Sequence, residues 1–354
     1  MKTIVICGKS RWVEFVASLI KKEYKVIQCR SEKMLKVYSL FYKDFLIVDN
    51  QINYEILSKK EHVFNMYEFY KFYFIDNPLF YEIHTKAKKM HGEIETIATG
   101  MSYIMCGIDG EVANNKLANI AYSSQDIFFD FELFKYYFFK EENIKSVIIG
   151  LAPYSLRYDE SLSKSENYRI KIYWPLIKKT HHYNIKIDEN IRNWNYIEKY
   201  FIDDYINKAF LFYEETYEIV REWNANWENK KLVWENVTEQ EILVIQEEIR
   251  QKFNKPYSET YKENVKILKD YLEFCKENEV AVKIVIPPYT NIYYSNMNKE
   301  YYAELQKELI KFKTIYDFEL YDLVECKDFS ADDFRDYCHL NKKGANKLTK
   351  LINA

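Results

Sequence analysis

The stretch Glu93-Ile94-Glu95-Thr96-Ile97-Ala98-Thr99-Gly100-Met101-Ser102-Tyr103 decides the fold expected for most of this chain of 354 residues. Its apolar run stops at a glycine, which is typical of a buried strand that ends in a tight turn. Four similar short runs follow along the chain, at 116–122, 144–149, 280–286 and 314–320. Because amphipathic segments such as 126–142 separate these runs, the pattern predicts an α/β fold with a parallel sheet.

Residues 1–75 show the same alternation on a smaller scale, and we expect a small Rossmann-like βαβ domain there. Apolar and amphipathic segments alternate at 3–7, 12–22, 24–29 and 45–48. The first turn holds Gly8 and Ser10, where backbone N–H groups can bind an anion such as the phosphate of a nucleotide. The further glycines of a dinucleotide fingerprint or of a P-loop are missing, so a glycine that only makes the turn is the simpler interpretation.

Two further regions organise the chain. An aromatic-rich segment, 66–81, and a linker, 76–92, lead into a second domain at 93–354. The aromatic segment can pack between the domains, which we favour, or contact a partner protein or a membrane surface. Between about 167 and 266 the pattern changes to long charged helices, which predicts a helical insertion over the sheet.

The composition excludes several classes of protein. Seven glycines and an aromatic content of 18% exclude collagen-like and disordered chains. The 51 basic and 54 acidic side chains are interspersed, so nucleic acid is not an expected partner. Six scattered cysteines indicate reduced thiols, and no apolar stretch is long enough to span a membrane. We therefore expect a cytoplasmic protein without a transmembrane segment, a metal or a cofactor.

Ser102 follows the first strand of the second domain at its carboxyl end, where ligands bind in open α/β sheets. Gly100 permits a turn sharp enough to expose the serine hydroxyl. Near the end of the chain, Asp336 and His339 stand three residues apart, close enough to share one turn. The carboxylate can then orient the imidazole, which takes the proton from the serine. We expect Ser102 as nucleophile, His339 as general base and Asp336 as the orienting acid.

With these residues in place, 93–354 resembles the SGNH (GDSL-like) serine esterases and acyltransferases, whose first block carries the nucleophilic serine and whose last block is Asp-x-x-His. Three motifs are closest to the bacterial cell-envelope branch: Gly100-Met101-Ser102, Pro287-Pro288-Tyr289 and His339-Leu340-Asn341. That branch includes polysaccharide O-acetyltransferase domains and proteins similar to those of teichoic-acid D-alanylation. The resemblance implies a flavodoxin-like three-layer α/β/α domain that moves an acyl group from a donor to a glycan or small-molecule acceptor.

The chain departs from the family pattern at the oxyanion hole. Met101 replaces the aspartate of the Gly-Asp-Ser block, and the family's glycine and asparagine donors are not evident. Besides the Ser102 N–H, seven residues are candidates for oxyanion donors or for walls of the pocket: Tyr103, Ser124, Gln125, Gly150, Tyr154, Pro288 and Tyr289. We interpret the pair His181-His182 as a solvated turn, since adjacent residues of a helix do not face one site.

These observations predict an enzyme that forms an acyl-enzyme on Ser102 and passes the acyl group to water or to a sugar hydroxyl. Two alternatives stay open. The first is a non-catalytic protein of the same fold that binds a glycan or a partner protein, and the missing oxyanion donors motivate it. The second gives the leading role to the N-terminal domain, which would bind a nucleotide-linked donor at Gly8.

Overall fold

The structure is a computed structural model that describes residues 2–60, 62–113, 116–184, 199–202, 214–233, 236–254 and 258–354. It confirms the α/β class, with parallel sheets of four and five strands. The chain divides into two compact units, Met1–Tyr81 with Asn184–Val220, and Glu82–Tyr183 with Arg221–Ala354. The predicted insertion at 167–266 is thus shared between both units, and its residues 185–198, 203–213, 234–235 and 255–257 lie outside the described residues.

The first unit contains a parallel sheet in the order β2-β1-β3-β4. Its strands are β1 Thr3–Cys7, β2 Lys25–Cys29, β3 Asp44–Ile47 and β4 His62–Asn65. Helices α1 Trp12–Ser18 and α2 Glu32–Phe41 follow the first two strands. Val5 of β1 pairs with Ile27 and Phe45, and Leu35 of α2 joins this core. The β-α alternation expected near the N-terminus is therefore present.

The aromatic segment 66–81 forms α3 Met66–Tyr70, a π-helical turn Lys71–Asp76 and the start of α4 Pro78–Lys89. Tyr73 and Tyr81 are 1% and 4% exposed and make an edge-to-face contact at 5.4 Å between ring centroids. Phe80 is fully buried as well. These rings are not on the surface, whereas the side chains of Phe69, Tyr70 and Phe74 lie outside the description. A partner or membrane contact through this segment stays a prediction.

The second unit contains a parallel sheet in the order β6-β5-β7-β8-β9. Its strands are β5 Thr96–Thr99, β6 Leu117–Asn119, β7 Ser146–Gly150, β8 Ala281–Ile286 and β9 Glu319–Asp322. In the register, Thr96 faces Ser146 and Ile148 faces Lys283. Each of the five runs expected to form strands contains part or all of one strand of this sheet. The last strand, β9, begins at Glu319 and not at residue 314 as expected.

Helices cover this sheet. Asp126 caps α6, Ile127–Phe138, by accepting from the Phe129 N–H at 3.0 Å, and this helix lies against β5. Among the apolar residues around the sheet, Ile148 and Leu348 are fully buried and share one core cluster.

The later helices are α5 Ser102–Met105, α6 Ile127–Phe138, α7 Trp174–Ile177, α8 Glu214–Asn229, α9 Glu239–Lys252, α10 Ser258–Glu277, α11 Asn291–Asn296, α12 Lys299–Lys313 and α13 Lys342–Leu351. In the described ranges, no helix has the length and apolar character needed to cross a bilayer.

Two glycines let the ends of β5 and β7 approach α5. Gly100 has φ +140°, and a Cβ there would lie 2.9 Å from Ile104 and 3.0 Å from the carbonyl oxygen of Gly150. A Cβ on Gly150 would overlap the Ile104 side chain. Neither position has room for a larger residue, so both glycines fix how the turn after β5 packs on its neighbouring strand.

We predict that Gly100→Ala destabilises the protein by about 1 to 3 kcal/mol more than Gly92→Ala does, because overpacking a well-filled core costs that much. Gly92→Ala is the matched control, since both glycines adopt a positive φ, +140° and +76°, but Gly92 has no neighbour within 4 Å of an added Cβ. Urea unfolding monitored by circular dichroism measures both free energies. A Gly100→Ala variant no less stable than Gly92→Ala would contradict the close approach.

Candidate active site

Ser102 is the first residue of α5, directly after the turn that ends β5. The N–H groups of Ile104 and Met105 both donate to the Met101 carbonyl, at 2.9 and 3.1 Å, and hold this turn closed. The backbone N–H groups of Ser102 and Tyr103 donate to no group in the part of the chain that the structure describes. The turn therefore presents a hydroxyl with unused backbone donors beside it.

His339 lies in a short loop that the antiparallel bridge between Phe334 and Leu340 closes. Within the loop, Asp336 Oδ1 accepts from the N–H groups of Cys338 and His339, each at 2.9 Å. This carboxylate therefore shapes the backbone that carries the histidine as well as facing its ring. Such local side-chain to backbone bonds are what an Asp in a turn typically makes.

Asn341 fixes the same loop to the helix that follows it. Its side-chain oxygen accepts from the Gly344 N–H at 3.0 Å and caps α13, while its amide donates to the Asp332 carbonyl at 2.8 Å. Asn341 is 2% exposed, so the amide is a buried group with its hydrogen-bonding capacity used. The loop before α13 is thereby held in one position.

The structure brings the three expected residues together. Ser102 Oγ lies 2.8 Å from His339 Nε2, and His339 Nδ1 lies 3.0 Å from each oxygen of Asp336. The Tyr103 ring stacks on the imidazole with 5.2 Å between centroids and an angle of 22°. A nucleophile bonded to a base, with the base oriented by a carboxylate, is the geometry that acyl transfer requires.

Electrostatics favour the imidazolium-carboxylate pair. Burial opposes protonation of the His339 ring, but the Cys338 sulfur, 3.4 Å from Nδ1, and the hydrogen bond to Asp336 outweigh it and raise the pKa of His339 well above its usual value. Burial also opposes ionisation of Asp336, yet its bonds to His339 and Cys338 keep the pKa of this carboxyl well below its usual range. The carboxylate thus stabilises the positive charge that His339 acquires when it takes a proton.

A cavity of about 810 Å³ opens beside Ser102 and His339. Tyr103 and Tyr154, two of the expected site residues, line it and bring their hydroxyls to 3.3 Å from one another. Ser124 lines it too, and its hydroxyl donates to Glu166 at 3.2 Å. A volume of this size lies within the range of small-molecule sites.

Four other expected site residues do not line the cavity. Gln125 is fully buried and donates to Asp130 at 2.7 Å and to the Ile120 carbonyl, so its amide serves the core. Pro288 is buried. Tyr289 stacks on Tyr293 at 4.2 Å, behind Tyr103. Gly150 ends β7 and contributes by leaving room for the Ile104 side chain of α5.

The N-terminal turn binds a group of its own chain. The N–H groups of Lys9 and Ser10 both donate to Asp49 Oδ2, at 2.8 and 2.7 Å. Asp49 is 5% exposed and occupies the position where an anion was expected. The geometry at Gly8 and Ser10 therefore argues against a phosphate site at this turn, because its donors already have a carboxylate partner.

Sequence reasoning missed several residues of the cavity wall. Lys252 of α9 lines it and places Nζ 3.4 Å from the Cys338 sulfur. Arg335 also lines it, with its guanidinium 5.6 Å from the Trp223 ring and Nε 3.8 Å from Asp336. Arg335 could have been found from the sequence, since it directly precedes Asp336. Nothing in the sequence places Lys252 at the site, because 86 residues separate it from Cys338.

The interpretation of His181-His182 as a solvated turn is wrong in one respect. The pair does lie in a turn, but the His181 side chain is only 5% exposed. Both Nδ1 atoms face Asp159 Oδ2, at 3.4 and 2.7 Å. The rule that helical neighbours point apart does not apply, because His181 has φ 51° and the segment is not a helix.

No protein-family model, curated protein or solved structure matches this chain significantly. What the site does is therefore inferred from its own residues and their geometry.

We predict that His339 keeps its proton to a higher pH than the usual value of about 6.5 for histidine. Replacing Asp336 by Asn removes the negative charge and lowers the pKa of His339, so the neutral form appears at lower pH. NMR titration of the imidazole resonances measures both values, with His339→Gln to assign the signal among the six histidines. A wild-type value at or below the usual one, or no change in Asp336→Asn, would contradict the electrostatics described.

Proposed function

We propose that this protein is a serine-dependent acyl-transfer enzyme of the SGNH type, which acts on an ester or thioester donor and on a glycan or its precursor as acceptor. The observation that carries the proposal is the chain of hydrogen bonds from Ser102 Oγ to His339 and from His339 to Asp336.

In the proposed reaction, His339 Nε2 takes the proton of Ser102 as Oγ attacks the carbonyl carbon of the donor. Asp336 holds the Nδ1 proton and stabilises the imidazolium. The tetrahedral intermediate then collapses, and the leaving alcohol or thiol takes the proton from His339. An acceptor hydroxyl, from water or a sugar, gives its proton to His339 and attacks the acyl group. As the second tetrahedral intermediate collapses, the bond between the acyl group and Ser102 Oγ breaks and His339 returns the proton to Oγ.

The sheet supports an SGNH-type architecture. Numbered within the second unit, its strand order is 2-1-3-4-5, the order of flavodoxin-like folds. Ser102 follows β5, and β5 lies between β6 and β7, where the strand order reverses. Ligands of open α/β sheets bind at such a point, beyond the carboxyl ends of the strands.

The oxyanion formed in the reaction needs donors. The unused N–H groups of Ser102 and Tyr103 supply two, whereas the Ser124 hydroxyl, which lines the same cavity, already donates to Glu166. Removing one such donor typically costs about 3 to 4 kcal/mol of transition-state stabilisation. A site built mainly on backbone donors explains how acyl transfer can proceed without the family's asparagine.

The family resemblance suggests the acceptor class, and the composition of the cavity wall is compatible with it. Trp223 and Tyr337 offer aromatic faces, while Glu166 and Arg169 offer charged hydrogen-bonding groups in the same wall. Aromatic surface with a few converging polar groups is the usual composition of a ligand site, and it suits a sugar ring with its hydroxyls.

A fluorophosphonate probe is expected to label the wild-type protein on Ser102, and Ser102→Ala is expected to abolish the labelling. Hydrolysis of a short p-nitrophenyl ester should fall by about 10³-fold or more in Ser102→Ala, since the nucleophile cannot be replaced. Ser18→Ala is the control, because Ser18 is an exposed serine in the first unit.

A folded protein that the probe does not label, and that hydrolyses the ester at the same rate with and without Ser102, would favour the second candidate. That candidate is a non-catalytic protein that binds a glycan or a partner on this fold. It is favoured by the one observation that the Gln125 amide serves the core and not the cavity.

The rate of Ser102 labelling should rise with pH, because only neutral His339 acts as a base. Since the pKa of His339 is raised, the midpoint of this rise should lie above about 6.5. In Asp336→Asn the midpoint should move to lower pH while the limiting rate falls by roughly 10⁴-fold. A rate independent of pH between 5 and 9, roughly the range in which histidines titrate, would contradict the role of His339.

A further inference from the structure

A second cluster of titratable side chains lies in the second unit, outside the cavity of the candidate active site. Its members are Asp159, His181, His182 and Glu263. One ligand atom from each of the four lies within 4.8 Å of the others. The residues come from three separate segments: the loop after β7, the turn after α7, and the first turns of α10.

The two imidazole rings lie between two carboxylates. They stack with 4.1 Å between centroids, and both Nδ1 atoms face Asp159 Oδ2. On the other side, His181 Nε2 lies 3.4 Å from Glu263 Oε1, and His182 Nε2 lies 3.4 Å from Glu263 Oε2. Each ring therefore points one nitrogen at each carboxylate.

In this arrangement, the side of the cluster that faces Glu263 lacks a positive charge. Asp159 accepts from the Ser161 and Leu162 N–H groups and is fully buried, so it is held as a carboxylate; its Oδ2 accepts from His182 Nδ1 at 2.7 Å and faces His181 Nδ1 at 3.4 Å. With the protons on Nδ1, the Nε2 lone pairs face the lone pairs of the Glu263 carboxylate at 3.4 Å. Two sets of acceptors at that distance repel each other unless a second proton on the ring or a metal ion lies between them.

The local charge points the same way. Asp126 is 1% exposed and places Oδ2 4.0 Å from His181, which adds a third carboxylate to the surroundings. Among the described residues, no lysine or arginine forms an ion pair with Asp126, Asp159 or Glu263. Nδ1 of His181 is buried and makes no hydrogen bond of good geometry within the described chain. The cluster is rich in ligand atoms and poor in compensating charge.

We propose that His181, His182 and Glu263 form a binding site for a divalent transition-metal ion of the zinc class, with Asp159 as the group that orients both histidines. Two imidazole Nε2 atoms and a carboxylate bind the ion, and water completes the coordination. Asp159 holds both Nδ1 protons, as the outer carboxylate of a carboxylate-histidine-metal arrangement does.

The distances suit such an ion. With metal-ligand bonds of 2.0 to 2.2 Å, two ligands of a tetrahedral zinc ion lie roughly 3.3 to 3.5 Å apart. The two Nε2 to Glu263 separations, each 3.4 Å and each to a different carboxylate oxygen, fall in that range. Imidazole nitrogen with a carboxylate also matches the ligand preference of zinc, whereas calcium and magnesium prefer oxygen alone.

The site is open to solvent on the side where the ion would bind. His182 and Glu263 are 41% and 38% exposed, whereas His181 is packed against Phe128 with 4.1 Å between ring centroids. Phe128 and Asp159 thus fix one ring and the orienting carboxylate from inside. The unusual φ of His181 is the backbone cost of bringing both rings to one side.

Isothermal titration of the purified protein with Zn²⁺ tests the proposal. We expect one saturable site in the wild type. His182→Gln and Glu263→Gln each remove a ligand and should weaken binding by more than 100-fold, and Asp159→Asn should weaken it by about 10- to 100-fold. His91→Gln is the control, since His91 pairs with the single carboxylate of Glu141 at 2.8 Å and has no second histidine beside it.

Equal affinity in wild type, His182→Gln and Glu263→Gln would overturn the proposal, and so would an equal loss in His91→Gln. Circular dichroism shows whether each variant folds. Should the variants fail to fold, the wild type alone decides: Co²⁺ bound at the site should give visible absorption bands that one equivalent of Zn²⁺ removes. Absence of such bands at saturating Co²⁺ would also overturn it. Neither readout depends on Ser102 or on acyl transfer.

Discussion

The hydrogen bond between Ser102 Oγ and His339 Nε2 joins residues 237 positions apart, and the rest of the second unit positions it. From one side, β5 and its glycine turn deliver the serine at the point where the strand order reverses. From the other, Asn341 caps α13 and holds the loop that carries the histidine. Because the bond tolerates little displacement, the close approach of Gly100 and Gly150 and the buried Asn341 amide are as necessary as the reacting groups.

Much of the fold could be read from the sequence, because its strands are short apolar runs that end at turn residues. The limits of that reading have physical causes. The last strand was expected from residue 314 but begins at Glu319, because α12 extends to Lys313 with Thr314 as its C-cap. Apolar residues at the end of an amphipathic helix resemble the start of a strand when only the run is considered.

Some residues of the candidate site could be predicted from the sequence and others could not. Ser102, Asp336 and His339 were found because each lies in a short motif whose spacing has a chemical meaning. Gln125 was misjudged since nothing in a sequence tells whether a buried amide turns toward a cavity or toward an aspartate such as Asp130. The carboxylate partner of the N-terminal turn could not be predicted either, because it comes from a distant part of the chain. Asp49 accepts from the Ser10 N–H across 39 residues of sequence.

One segment connects the two sites of the second unit. Asp159 belongs to the histidine cluster, Ser163 and Glu166 line the cavity, and Asp126 accepts from the Glu160 N–H at 2.8 Å. The position of this segment at the histidine cluster therefore constrains the position of the cavity wall at its other end. Such an arrangement gives a bound ion a structural reason to affect the cavity without entering the chemistry.

Mass spectrometry of a trapped acyl-enzyme tests the central claim most directly. After brief incubation with an activated acetyl ester and acid quenching, the peptide that contains Ser102 should carry one acetyl group in the wild type and none in Ser102→Ala. An acetyl group on a different residue, or no adduct under conditions where the ester is consumed, would contradict acyl transfer through Ser102.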